Sequence, residues 1–150
     1  MTTRRSRRDR SRAQALVEFA LVVPWFFLLL FGIIEAGRFI FYYETLSNAT
    51  REGARYAIVN GANSLGCPTG PPAPNSTPCD TAGDDVVDRV RSSAYGMPPS
   101  SIAVVPTWNP NNGRGSIVNV QASLTYSTLV PLLPLPPITV TAESSLVVNN

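Results

Sequence analysis

Two thiols and one oddly placed carboxylate are the residues of this 150-residue chain whose type and position most directly suggest chemistry. Cys67 and Cys79 are its only cysteines and lie in a stretch rich in glycine, proline and asparagine. An even pair outside the cytoplasm reads as one disulfide. A metal site is the alternative, but two thiols in a chain without histidine are a poor ligand set. Glu18 is the single charge in the apolar run ALVEFALVVPWFFLLLFGII, residues 15–34. A carboxylate there costs about 2.5–3.5 kcal/mol on insertion scales unless it is paired or snorkels, so Glu18 either reaches the headgroups or waits for a cationic partner. A third group, Asp80, Asp84, Asp85 and Asp88, lacks the alternating spacing of a calcium loop and reads as helix capping.

Histidine and lysine are both absent. That removes the commonest general base, the commonest zinc ligand, Schiff-base chemistry and the P-loop lysine together. No carboxylate pair falls in a recognisable catalytic motif, so no active site suggests itself, and no cofactor is expected.

The elements that position these groups begin with a sorting of charge. Six of the twelve arginines (Arg4, Arg5, Arg7, Arg8, Arg10, Arg12) occupy the first dozen positions, and with Asp9 that segment carries +5. Residues 13–150 hold six arginines against nine carboxylates, a balance of −3. The apolar run behind the basic segment spans about 30 Å as a helix, the thickness of a hydrocarbon core. The basic flank in front, with Glu35 and Glu44 behind, sets the amino terminus in the cytoplasm and the rest outside. The basic segment could also bind phosphates non-specifically, but a span directly behind it makes it a topology signal, and no nucleic-acid partner is expected. A cleaved secretory signal ending near Ala36-Gly37 is the competing reading. Against it, the apolar run is long, and the residues that follow continue as an amphipathic helix.

Pro24 should kink the span, which a bilayer tolerates. Gly32 and Gly37 either permit close helix approach or are ordinary transmembrane glycines. Trp25 lies too deep for an interfacial belt and faces lipid or another helix. Beyond the span the helix should run to about Val59, with Phe39, Tyr42, Tyr43, Leu46, Ala49, Ala54, Ala57 and Ile58 recurring at helical spacing. Glu35/Arg38 and Glu52/Arg55 are expected i,i+3 ion pairs. Phe39, Phe41, Tyr42 and Tyr43 fit an aromatic belt at the outer interface.

Residues 60–83 read as a loop, closed by the cysteine pair with a contribution of about 3 kcal/mol on the chain-entropy model. Asp84–Tyr95 reads as a short helix burying Val86, Val87, Val90 and Ala94, stopped by Gly96 and Pro98-Pro99. Strands are expected at Ser101–Pro106, Ser116–Tyr126 and about Ile138–Val148. In the second, Val118, Val120, Ala122, Leu124 and Tyr126 face one way; in the third, Ile138, Val140 and Ala142 alternate. A turn at 109–115 joins the first two strands. The apolar, proline-rich connection 129–137 packs on the domain, crosses the sheet edge or serves as a docking surface. The fold class is therefore α+β: a long amino-terminal transmembrane helix continuing outside the membrane, a short second helix and a small antiparallel sheet covered on one face by both helices.

The stretch AQALVEFALVVPWFFLLLFGIIEAGRFIFYYETLSNATREGARYAIV, residues 13–59, resembles the TadE-like proteins, minor pseudopilins of the tight-adherence (Flp, type IVc) pilus machinery. QALVEFALVVP at 14–24, GIIEAGR at 32–38 and ATREGARYA at 49–57 carry the likeness most specifically. The resemblance implies a pilin-like fold and cleavage by a prepilin peptidase between Ala13 and Gln14, with Glu18 fifth in the mature chain. Ala13 stands where such families usually carry glycine. It further implies a leader at 1–13, a transmembrane helix at 14–37, its extramembrane continuation at 38–59 and an extracytoplasmic α+β domain at 60–150 with a disulfide loop at 67–79. Pro24, Gly32, Gly37, Arg38, Arg51, Glu52 and Arg55 become expected packing and assembly positions. The implied partners are the membrane, the major Flp pilin, TadF- or TadG-like minor pseudopilins, the inner-membrane assembly platform and the prepilin peptidase. No catalytic activity is implied. From another class, a membrane-tethered or secreted envelope binding module would share the anchor and the outer domain.

Overall fold

The computed structural model describes residues 7–128 and 136–149, with side chains from residue 12 onward. The first six residues of the expected leader and residues 129–135 of the proline-rich connection lie outside the described residues. The chain forms two compact units, Met1–Arg38 and Phe39–Asn150. One helix, α1, runs over Arg7–Val59, and its assignment continues through Pro24.

In the first unit the apolar side chains of α1 are exposed almost throughout, Leu16, Phe19, Trp25 and Ile33 among them. A helix that is apolar all round and uncovered by protein is not stable in water. By length and composition α1 can cross a membrane, with none of its most apolar window buried inside the protein. This fits a single-pass membrane anchor.

The second unit holds the rest of α1, a second helix α2 at Asp84–Ser93, a single 3-10 turn at Pro99–Ser101, and three strands: β1 Ile102–Asn109, β2 Ile117–Tyr126 and β3 Ile138–Val147. The strands form an antiparallel sheet in the order β1-β2-β3. In the register, Ile102 lies opposite Leu124 and Asn109 opposite Ile117, while Tyr126 pairs with Ile138 and Ile117 with Val147. β1 runs three residues past the expected end at Pro106, because an edge strand tolerates a proline without a central ladder bond being lost. β2 alternates as its sequence prescribes, with Val118, Val120, Ala122, Leu124 and Tyr126 all buried.

One face of this sheet is covered by the outer part of α1 and by α2, and the core lies between. Leu46, Ala49, Ala54 and Ala57 of α1, Val86 and Val90 of α2, Ile102, the inward side of β2, and Val140, Ala142 and Val148 are its buried apolar members. The helical stripe that meets the sheet is centred on Leu46, Thr50, Gly53 and Ala57, while Phe39 and Tyr43 of the expected aromatic belt are exposed. Buried Thr50 satisfies its hydroxyl within the helix, donating to the Leu46 and Ser47 carbonyls at 3.1 and 2.9 Å. Val87 is only partly buried, α2 ends at Ser93 rather than Tyr95, and Ile138 lies exposed at the end of β3.

Candidate functional site

Ala13, Gln14 and Glu18 sit together on the exposed amino-terminal part of α1. Four residues make about one helical turn, so Gln14 and Glu18 share a face. The Gln14 side-chain amide donates to Glu18 Oε1 at 3.2 Å. The donor is a neutral amide; a cation in the same place would form the stronger, charge-assisted bond with a carboxylate. Further along, Gly32 and Gly37 have open space where a side chain would begin, so another helix could come close at either position. Glu35 and Arg38 form the expected i,i+3 pair at 3.3 Å, with both carboxylate oxygens accepting from the same guanidinium nitrogen.

On the outer part of α1, Arg51 and Arg55 are exposed and Glu52 is partly so. The expected Glu52/Arg55 pair is replaced by a contact between elements: Glu52 accepts two hydrogen bonds from the Arg89 guanidinium of α2. The Arg89 hydrogen bond holds the Glu52 carboxyl below its ordinary range, partial desolvation opposes this, and the charges of Arg89 and then Arg55 add to the lowering. Arg55 thus contributes only through its field. The reason is geometric: Arg89, carried on a packed helix, presents its planar fork to the carboxylate. As a solvent-exposed pair it adds little to stability, and its value lies in setting how α2 meets α1. Beneath it, Gly53 lets the two helices approach. A Cβ at that position would collide with Val90 Cγ2.

The disulfide joins Cys67 to Cys79 with their Cα atoms 5.5 Å apart, within the usual range. It closes a loop whose strands are held by an isolated parallel bridge between Thr69 and Asp80 and by the Gly70 N–H bonding the Asp80 carbonyl at 2.7 Å. Asp80 is the one acid of its group that caps α2. The N-cap residue itself is Gly83, left-handed at φ 82°, with no side chain to offer. Asp80 reaches across instead, accepting from the Gly83 and Asp85 N–H groups at 2.8 and 2.9 Å and from the Thr69 hydroxyl at 2.8 Å. Desolvation pushes its carboxyl up, but the bonds from Asp85, Thr69, Asp84 and Gly83 outweigh it and hold the group below its ordinary value. Asp84 and Asp85 occupy the first turn of α2 and Arg91 the last, in line with the helix dipole. Among the described residues no group of three or more side chains could hold a metal ion.

Two organising residues escaped the sequence reading. Asn112, expected only as part of a turn, is fully buried. Its amide donates to the Thr69 carbonyl at 3.2 Å and accepts from the Ala73 N–H at 3.0 Å, while its own N–H bonds Pro71 and its carbonyl receives Ala62. It therefore ties the disulfide loop to the β1–β2 connection. Trp108 lies against Gly70 and Gly83, both at positive φ; a Cβ on either would come within 2.5 Å of the indole. Nothing in a lone Asn or Trp announces these partners, which are some 25 to 50 residues away in sequence.

The family described as TadE-like protein has a model that matches residues 13–55. No match was found among curated proteins or among solved structures. The matched segment takes in Ala13, Gln14 and Glu18, the whole apolar run, the Glu35–Arg38 pair, and α1 as far as Arg55. Over this segment, somewhat under a third of its length, the chain is similar to the TadE-like family.

Proposed function

We propose that the chain is a pseudopilin that takes part in assembling Flp/Tad adhesive pili and performs no catalysis of its own. A prepilin peptidase cuts between Ala13 and Gln14, removing the basic leader 1–13. The mature chain keeps a transmembrane helix at 14–37, continues as helix to 59 and displays the α+β domain 60–150, with its 67–79 disulfide, outside the inner membrane. The observation that carries this reading is the family match beginning at residue 13, in register with an exposed apolar helix in which the only charge, Glu18, lies one turn from Gln14.

The chemistry is consistent at each step. Before cleavage the arginines hold the amino terminus on the cytoplasmic side. Cleavage removes them and creates an α-amine at Gln14. That amine and the Glu18 carboxylate of a neighbouring subunit then form a buried ion pair, which fixes register more than it adds stability. Gly32, Gly37 and Pro24 shape the membrane packing, Arg38 lies where the helix leaves the bilayer, and Arg51, Glu52 and Arg55 are assembly positions further out on the continuing helix. The partners are the major Flp pilin, TadF- or TadG-like subunits, the inner-membrane assembly platform and the peptidase.

Mass spectrometry of the membrane fraction tests the reading. A chain beginning at Gln14 is expected. An intact amino terminus would indicate a plain anchor, and a start after about Gly37 a secreted binding module. Glu18→Ala should leave the chain membrane-bound and abolish pilus output; undiminished output would sink the proposed pair.

A further inference from the structure

The end of the outer unit at which α1 enters is built from aromatic side chains drawn from three elements. Phe39 and Tyr42 each meet the Tyr126 ring edge-on, with centroids 5.6 Å apart. Gly96, at φ 76° in the turn after α2, backs onto Phe41, so that a Cβ there would lie 3.3 Å from the Phe41 ring. The end of β2 and the turn after α2 therefore converge on the first turn of this unit. Part of the expected aromatic belt is thus used inside the domain. Yet the same end leaves a separate apolar set uncovered: Ile40, Phe41, Tyr43, Tyr95 at 77% exposure, and Ile138, the cross-strand partner of Tyr126.

Depth gives this patch its occupant. Phe41 follows Gly37, the end of the span, by four residues, or about 6 Å of helix. The interfacial layer of a bilayer is about 5–7 Å thick on each side. Phe41 and the Tyr95 turn beside it therefore belong at headgroup level, where an apolar ring with a polar tip is favoured on both counts.

We propose that this end of the outer unit is seated on the outer leaflet, with Tyr95 as an interfacial anchor contributed by the turn after α2 and Ile138 beside the acyl boundary. The ligand is the headgroup–acyl boundary of glycerophospholipids. The seat fixes the height and tilt of the domain while the subunit resides in the membrane, and it must be released before the subunit leaves. It rests on the reading of α1 as a membrane anchor.

The test uses the full chain in vesicles of phosphatidylethanolamine and phosphatidylglycerol, with and without brominated acyl chains, the bromines placed near the glycerol end in half of the lipids and near the terminal methyl in the rest, so that both headgroup-level and mid-bilayer indoles are reached. Trp25 lies in the span, whereas Trp108 lies six residues along β1 from Ile102, about 20 Å towards the opposite end of the sheet. With Trp25→Phe, Trp108 alone should be unquenched. Adding Tyr95→Trp, or separately Ile138→Trp, should introduce emission that is shifted to the blue and mostly lost in brominated vesicles, while the Trp108 contribution stays constant. Reporters as unquenched as Trp108, in vesicles where Trp25 of the parent chain is quenched, would overturn the seat and leave the anchor standing. Quenching of Trp108 to the same extent would overturn the end-on geometry. An unquenched Trp25 would overturn the anchor reading itself.

Discussion

Gly53 is the position where one added carbon should matter most. It lies on the buried stripe of α1, and an alanine Cβ there would collide with Val90 Cγ2 while also lying 3.6 Å from Val86 Cγ1 and 3.7 Å from Val120 Cγ1. All three valines are fully buried. Val90 cannot swing aside, because a β-branched side chain in a helix has essentially one χ1 rotamer. α1 and α2 must therefore part. Helix propensity favours alanine over glycine by about 1 kcal/mol. Overpacking a tight core costs about 1–3 kcal/mol, and with stiff neighbours on three sides the upper part of that range applies. Gly53→Ala should lose about 1–2 kcal/mol net, each kcal/mol lowering Tm by about 4–8 °C for a unit of this size. The assay is thermal unfolding of the full chain in detergent with Trp25→Phe, followed by Trp108 fluorescence. Val90→Ala alone should cost on the order of 2 kcal/mol by leaving a cavity. Combined with Gly53→Ala it should cost less than the sum, by about 0.5–3 kcal/mol of coupling. A Gly53→Ala chain that melts at or above the parent, or penalties that simply add, would refute the reasoning.

Gly70→Ala and Gly83→Ala should each cost about 1–2 kcal/mol for the left-handed backbone alone, with a further penalty from the indole; loss of the Trp108 near-UV dichroism reports it. Replacing Cys67 and Cys79 together by serine should remove about 3 kcal/mol, read as a fall in denaturation midpoint with a somewhat larger m-value, because the denatured chain is no longer cross-linked. Asp80→Ala should cost about 1–2 kcal/mol at pH 7 as a lost cap. Because the folded-state pKa of Asp80 is depressed, its contribution is fully present above the unfolded value of about 3.9 and is lost as pH falls through the folded value. The stability gap between parent and Asp80→Ala should therefore shrink when unfolding is repeated near pH 3, and a gap constant with pH would count against the charged cap.

The elements whose pattern repeats were legible without coordinates. The apolar run from Ala15 to Ile34, the alternation of β2, the turn between β1 and β2, and the α+β class all follow from periodicity and composition. The cysteine pairing followed from there being two thiols in a loop segment. Errors arose where position on a face depends on the neighbour that covers it. Ile138 alternates in pattern with Val140 and Ala142, yet it lies exposed at the end of the sheet. Val87 is apolar at the right spacing, but α2 is short and its contact narrow. The proteolytic and assembly roles proposed for Ala13, Gln14 and Glu18 rest on resemblance, because three exposed side chains on a helix carry no chemistry by geometry alone.

By itself, then, the sequence determined what depends on neighbours along the chain: an amino-terminal helix apolar enough to span a membrane, the basic segment in front of it, the carboxylate one turn from Gln14, and the alternating strands. Tertiary structure alone decided how groups distant in sequence are matched. Glu52 turned from Arg55 to Arg89, Asp80 of the four aspartates expected to cap α2 was the one to do so through its side chain, Asn112 entered the core as a fourfold hydrogen-bonding tie, and Gly53, Gly70 and Gly83 became contact points for Val90 and Trp108. The physical reason is common to all of them. Periodicity tells which way a side chain points within its own element, whereas a hydrogen bond or a close contact needs two elements at a particular separation, and that separation is set by how the whole core packs.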